Sequence, residues 1–83
     1  MDKLPSGKIN SAVDIGQIIR EKRKKDGLTQ RDIAAVCNLG NRFLVDLENG
    51  KPTVRLDKTL EVLKSLGLDV YIVPRGWKSE VGK

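Results

Sequence analysis

Histidine is absent from this sequence of 83 residues, and cysteine occurs once, as Cys37. These counts exclude a disulfide framework and a Cys/His metal site, and they remove the commonest general base. An unpaired cysteine fits a reducing compartment, and the expected location is the cytoplasm. No apolar run approaches the roughly 18 residues that a membrane span requires, and the first residues lack the apolar centre of an export signal. A soluble chain with no membrane partner is therefore expected. Glycine-rich phosphate loops, carboxylates paired in a plausible cleft and a nucleophile beside a base are also missing. The expectation is a protein without a catalytic site, cofactor or metal.

What the chain has in quantity is positive charge. Sixteen Lys and Arg against eleven Asp and Glu leave a formal charge of +5, which favours a polyanion or an acidic protein surface as partner. The length allows one small domain. Such a domain buries only about 60% of the surface its unfolded chain exposes, so pairing with a second copy is a cheap source of stability.

Residues 1–10 mix Pro, Gly, Ser and Lys without periodicity and read as a flexible arm. Helical structure is expected to begin at Ser11, whose hydroxyl can cap the helix, with Asp14 completing an approximate capping box. Ile15, Ile18 and Ile19 then mark one face, the charged run Arg20–Lys25 is its wet side, and Gly27 ends it. Thr29 is a strong cap for a short second helix carrying Ile33 and Ala34 inward and ending near Cys37, which reads as a small buried hydrophobe. A third helix spans Asn41 to Glu48, with Leu44 and Leu47 inward, and stops at Asn49-Gly50. A fourth runs from Leu56 to Leu66, with Leu56, Leu60, Leu63 and Leu66 assigned to its buried face, and Gly67 stops it. The period then changes. Leu68, Val70, Tyr71, Ile72 and Val73 form a strand-like segment closed by Pro74. Since no second strand is found, pairing with the same strand of another copy is expected over 68–74; an irregular apolar tail packed on the fourth helix is the alternative. Residues 75–83 read as a tail in which Trp77 either anchors a partner protein or packs locally.

Two short helices joined by a tight turn, the second with a polar outer face, form the helix-turn-helix design. In that design the later helix sets its first residues against base edges in the major groove. The outer face of the third helix offers Asn41, Arg42, Val45 and Asp46. Arg can bond guanine bidentately, Asn adenine, Asp can accept from cytosine N4, and Val can touch a thymine methyl. Lys51, by its position after the helix, is expected to contact a phosphate; a solvated lysine is the alternative. Phe43 can either meet a thymine methyl or pack inward.

The pattern Ile15-Gly16…Ile19-Arg20…Arg23…Gly27-Leu28-Thr29-Gln30…Ile33-Ala34…Leu39…Leu44…Leu47-Glu48-Asn49-Gly50 resembles the Xre/Cro, λ-repressor-like family over residues 11–67. The resemblance implies a mainly α DNA-binding domain of four short helices in which Gln30 contacts a phosphate and braces the recognition helix. It also implies base-reading places for Asn41, Arg42 and Asp46, and a structural ion pair between Arg23 and Glu48. Two positions depart from the family pattern: Gly40 replaces the usual Ser or Thr cap, and Val45 a common Ser.

Four helices followed by one strand, with the stretch 58–68, are similar to HipB-type antitoxins. Members of that group pair strands across a homodimer, repress their own operon and bind a HipA-type serine/threonine kinase toxin. The resemblance thus implies double-stranded DNA carrying an inverted repeat, a second copy, and a kinase toxin as partners. A stand-alone regulator of the same family without a toxin is the alternative.

Overall fold

The computed structural model describes residues 6–76; the first residues of the expected arm, and the expected tail from Trp77 onward with either role of that tryptophan, lie outside them. Four helices make up the body: α1 (Ala12–Lys25), α2 (Gln30–Cys37), α3 (Asn41–Glu48) and α4 (Leu56–Ser65). α3 packs against both α1 and α2, and α2 also packs against α4.

Local chemistry sets most of the boundaries. At the start of α2 the Thr29 hydroxyl accepts from the Asp32 N–H at 3.0 Å, and the Asp32 carboxylate accepts from the Thr29 N–H at 2.8 Å, a complete capping box. The backbone N–H of Thr29, helped by its hydroxyl, holds the Asp32 carboxyl below its ordinary value of 3.8. A carboxyl depressed in the folded chain adds stability above that ordinary value and loses it as the pH falls through the folded one. The α1 start differs from the expected box. Ser11 occupies the cap position but its hydroxyl makes no capping bond, and Asp14 instead accepts from the Asn10 N–H at 2.8 Å.

Between α2 and α3, Asn38 takes the left-handed conformation (φ 56°), and the Leu39 N–H reaches back to the Ala34 carbonyl at 2.8 Å. Asn tolerates this geometry better than other residues with a side chain. The reversal brings α3 across α2 within three residues, 38–40. Gly40 leads into α3 in an extended conformation and supplies no side-chain bond.

The core consists of Ile19, Ile33, Ala34, Leu44, Leu47, Val62, Leu63 and Leu66, with Phe43, Leu28 and Leu39 packed half-buried against it. Phe43 thus takes the inward of its two readings. Cys37 is half-buried rather than fully enclosed, its Sγ 3.9 Å from the Glu61 carbonyl.

α4 is rotated from the expected face. Leu56 and Leu60 are exposed, at 68% and 43%, whereas Thr59 and Val62 lie inside with Leu63 and Leu66. Thr59 can occupy the interior because its hydroxyl donates to the Arg55 carbonyl at 2.8 Å, which satisfies the buried polar atom.

The expected strand is not present among the described residues. Leu68 is half-buried against the core and its N–H closes α4 onto the Leu63 carbonyl at 2.9 Å, so it serves the body. From Asp69 to Val73 the chain runs exposed and without regular pairing. A strand needs a hydrogen-bonded neighbour, and the described residues offer none. Among these residues, too, no helix is long and apolar enough to cross a membrane, and no cluster of acidic or sulfur ligands could hold a metal.

Candidate nucleic-acid interface

Leu44 and Leu47 decide which way α3 faces. They are 0% and 2% exposed, and burying a leucine stabilises by about 1.5–3 kcal/mol, far more than any surface pair on the opposite side. With those two inward, the helical period turns Asn41 and Arg42 to solvent and leaves Val45 and Asp46 half-covered. The Arg42 side chain is 83% exposed and that of Asp46 19%, and the Arg42 Nε lies 3.2 Å from Asp46 Oδ1. Lys51 follows the turn at Gly50, and its Nζ lies 3.6 Å from Asp46 Oδ2. The structure therefore gathers Asn41, Arg42, Val45, Asp46 and Lys51 on one surface.

Gln30 joins that surface from α2. Its Nε2 donates to Glu48 Oε1 at 3.1 Å, which commits one of its two amide hydrogens and leaves the second for an external acceptor such as a phosphate oxygen. The same Glu48 binds Arg23 in a fork: Arg23 Nε donates to Oε2 at 2.7 Å and Nη2 to Oε1 at 3.0 Å. Arg23 Nη1 donates to the Leu28 carbonyl at 2.8 Å, at the turn before α2. Both side chains are buried, 10% and 3% exposed. The side-chain hydrogen bonding to Glu48 raises the Arg23 guanidinium further above its ordinary value, against the lowering effect of burial. One carboxylate thus ties the end of α3 to α1 and to the first residue of α2. The candidate interface rests on a bonded frame.

Three features of this frame are not written in the composition. Gly16 is buried where α1 crosses α3, and a Cβ there would strike the Leu47 carbonyl oxygen and come within 2.9 Å of the Glu48 carbonyl oxygen. Gly50 takes φ +81°, and a Cβ there would fall 2.8 Å from the Val13 side chain. Asp46 is bracketed by two cations, which the i,i+4 spacing to Arg42 signals in the sequence but the approach of Lys51 does not.

A family model described as helix-turn-helix matches residues 19–72. The chain is 44% identical over 69 residues to the protein named "Uncharacterized HTH-type transcriptional regulator y4mF" of Sinorhizobium fredii (strain NBRC 101917 / NGR234), covering 83% of this chain and 91% of that one. It is 31% identical over 58 residues to the ImmF control region 10 kDa protein of Bacillus phage phi105, covering 68% of this chain and 64% of that protein. Its fold is similar to that of HipB in a complex described as HipB-O4 20mer, with TM-score 0.78 at 21% identity over 84% of this chain and 99% of that one. A complex of HipA, HipB, O2 and O3 contains a similar chain, with TM-score 0.77 at 21% identity and the same two coverages. The bonded frame, the turn at Asn38, the outward polar side of α3 and the extent of these matches together make the chain a member of the helix-turn-helix family of transcriptional regulators.

Proposed function

We propose that this chain is a sequence-specific repressor that binds an inverted-repeat operator as a homodimer. In this reading it is also the antitoxin that holds a HipA-type serine/threonine kinase toxin, and it works in the cytoplasm without chemistry of its own. The observation that carries the DNA reading is the exposure of Arg42 on a helix fastened from behind by Leu44 and Leu47. Asn41, Arg42 and Val45 face base edges, while Gln30 and Lys51 hold phosphates on either side. Two copies would set their α3 helices in successive major grooves, about 34 Å apart. The formal charge of +5 adds salt-sensitive affinity.

Support for the dimer comes from residues 70–73, which leave four consecutive apolar side chains exposed, Ile72 at 96%. Exposed apolar runs of this kind mark interaction sites, and pairing with the same segment of a second copy would satisfy both backbone and side chains. Deleting residues 69–73, which spares the core-packed Leu68, is expected to yield monomers. Sedimentation of an intact dimer would remove strand pairing from the reading.

The principal test is Arg42→Ala. Operator affinity is expected to fall by about 1–3 kcal/mol, with preference relaxed at one base position. Binding curves unchanged on both the operator and a point-mutated operator would sink the role of Arg42. The antitoxin reading draws on the likeness to HipB in a complex that also contains HipA. The second reading, a stand-alone regulator, draws on the relative at 44% identity, which is named only as a regulator. They part on whether an adjoining gene encodes such a kinase and whether the two products co-purify.

A further inference from the structure

Asp46 sits on the outer side of α3, yet its surroundings are not those of a base reader. Its side chain is 19% exposed, against 83% for Arg42 and 53% for Lys51. Oδ1 faces Arg42 Nε at 3.2 Å and Oδ2 faces Lys51 Nζ at 3.6 Å. The backbone keeps all three in register. Arg42 lies one turn earlier in the same helix, and the Lys51 N–H donates to the Asp46 carbonyl at 3.0 Å around the left-handed Gly50.

A carboxylate that accepts from cytosine N4 must offer a free lone pair to the groove. Asp46 is poorly placed for that, since its side chain is only 19% exposed and each of its oxygens faces a cation. A bare carboxylate would also repel the phosphates nearby, whereas one flanked by two cations is compensated before DNA arrives. What the arrangement supplies is control over those cations. A guanidinium approached at Nε keeps its terminal nitrogens for guanine O6 and N7, and its long stem loses freedom before binding rather than during it. The negative charge also reduces the local field that drives sequence-independent attachment to phosphates.

We propose that Asp46 is a positioning residue for DNA reading: it aims Arg42 and Lys51 and holds down non-specific affinity while touching no base itself. This rests on the assignment of the α3 face to DNA made above.

The experiment uses the full chain, an operator obtained by selection from a random duplex pool, and an unrelated duplex of equal length, each titrated across a salt series. Asp46→Asn is expected to bind the unrelated duplex more tightly, with a salt slope steeper by about 0.9, one further released counterion. The ratio of specific to non-specific affinity is expected to fall about tenfold, within the range for loss of one bidentate reader. Asp46→Glu, which keeps the charge, should restore most of that ratio. If Asp46→Asn does not fold, Asp46→Ser takes its place. A variant that switches preference at one base pair, with its slope and its affinity for the unrelated duplex unchanged, would make Asp46 a base reader and overturn the proposal. Unchanged ratio and slope would overturn it as well, leaving Asp46 a surface partner of Arg42. If the wild-type chain selects no sequence from the pool, the assignment of α3 to DNA fails and this role falls with it. If the wild-type chain selects a sequence and Asp46→Asn keeps the ratio, only the role of Asp46 fails.

Discussion

Glu48→Ala is expected to lower the unfolding free energy by about 3–5 kcal/mol, the cost of leaving one member of a buried ion pair without its partner. Three donated bonds end on this carboxylate, two from Arg23 and one from Gln30. The usual discount for surface pairs, which are worth about 0–1 kcal/mol, does not apply to side chains 10% and 3% exposed. A domain of this size has about 5–15 kcal/mol in total, so the substitution removes a large share of it. Chemical denaturation checks the value, read as a shift in midpoint at constant slope. A loss below about 1 kcal/mol would mean that water screens the pair and that the frame is not what holds α3. The double substitution Arg23→Met with Glu48→Leu sharpens the test. Two apolar side chains of similar volume should recover much of the loss, because no uncompensated charge remains. Recovery should be incomplete, since the Leu28 carbonyl loses the bond it accepts from Arg23.

Gly16→Ala is the second large effect. Alanine is the better helix former by about 1 kcal/mol, and on propensity alone the change should stabilise α1. The added methyl group has nowhere to go. It would meet the backbone oxygens of Leu47 and Glu48, the latter at 2.9 Å, and backbone in the middle of a core cannot turn aside as a side chain can. α1 must lift from α3, and overpacking of this severity costs about 3 kcal/mol or more, which outweighs the propensity gain. The expected result is a net destabilisation of at least about 2 kcal/mol in thermal or chemical unfolding. A neutral or stabilised Gly16→Ala chain would show that the α1–α3 approach is looser than described. Since the same Glu48 lies under Gly16 and receives Arg23, this substitution and Glu48→Ala should combine non-additively.

The helices were legible because their ends are written in local chemistry. Thr29 with Asp32 starts α2, and Gly27, Asn38, Gly50 and Gly67 each take a positive φ where a helix stops. Such signals act over four or five residues and need no knowledge of the rest of the chain. The rotation of α4 was not legible for the opposite reason. Its apolar residues cover nearly half of the circumference, wider than the face the neighbours can bury, so the stripe through Leu56, Leu60 and Leu63 and the stripe through Thr59, Val62, Leu63 and Leu66 both satisfy helical spacing. Only the neighbours choose, and they choose the side where Thr59 can turn its hydroxyl onto the Arg55 carbonyl. The need for glycine at position 16 was hidden in the same way, since it arises from an approach between α1 and residues 47–48, far along the chain. For the candidate interface, residue types and spacing placed Asn41, Arg42, Val45 and Asp46 on one side of α3. The pairing of Lys51 with Asp46 depends on how the chain turns at Gly50, and spacing does not report that.

α2 and α3 are eight residues long and α4 is ten, and helices this short do not persist by themselves in water. The surface assigned to DNA therefore exists only while the entire core is assembled. Whatever grips that surface draws the folding equilibrium with it, by about 2.7 kcal/mol at a hundredfold excess over the dissociation constant. In a cell, occupancy and lifetime would become one quantity: a copy seated on its site is shielded from proteolysis, and a released copy sits nearer to being degraded.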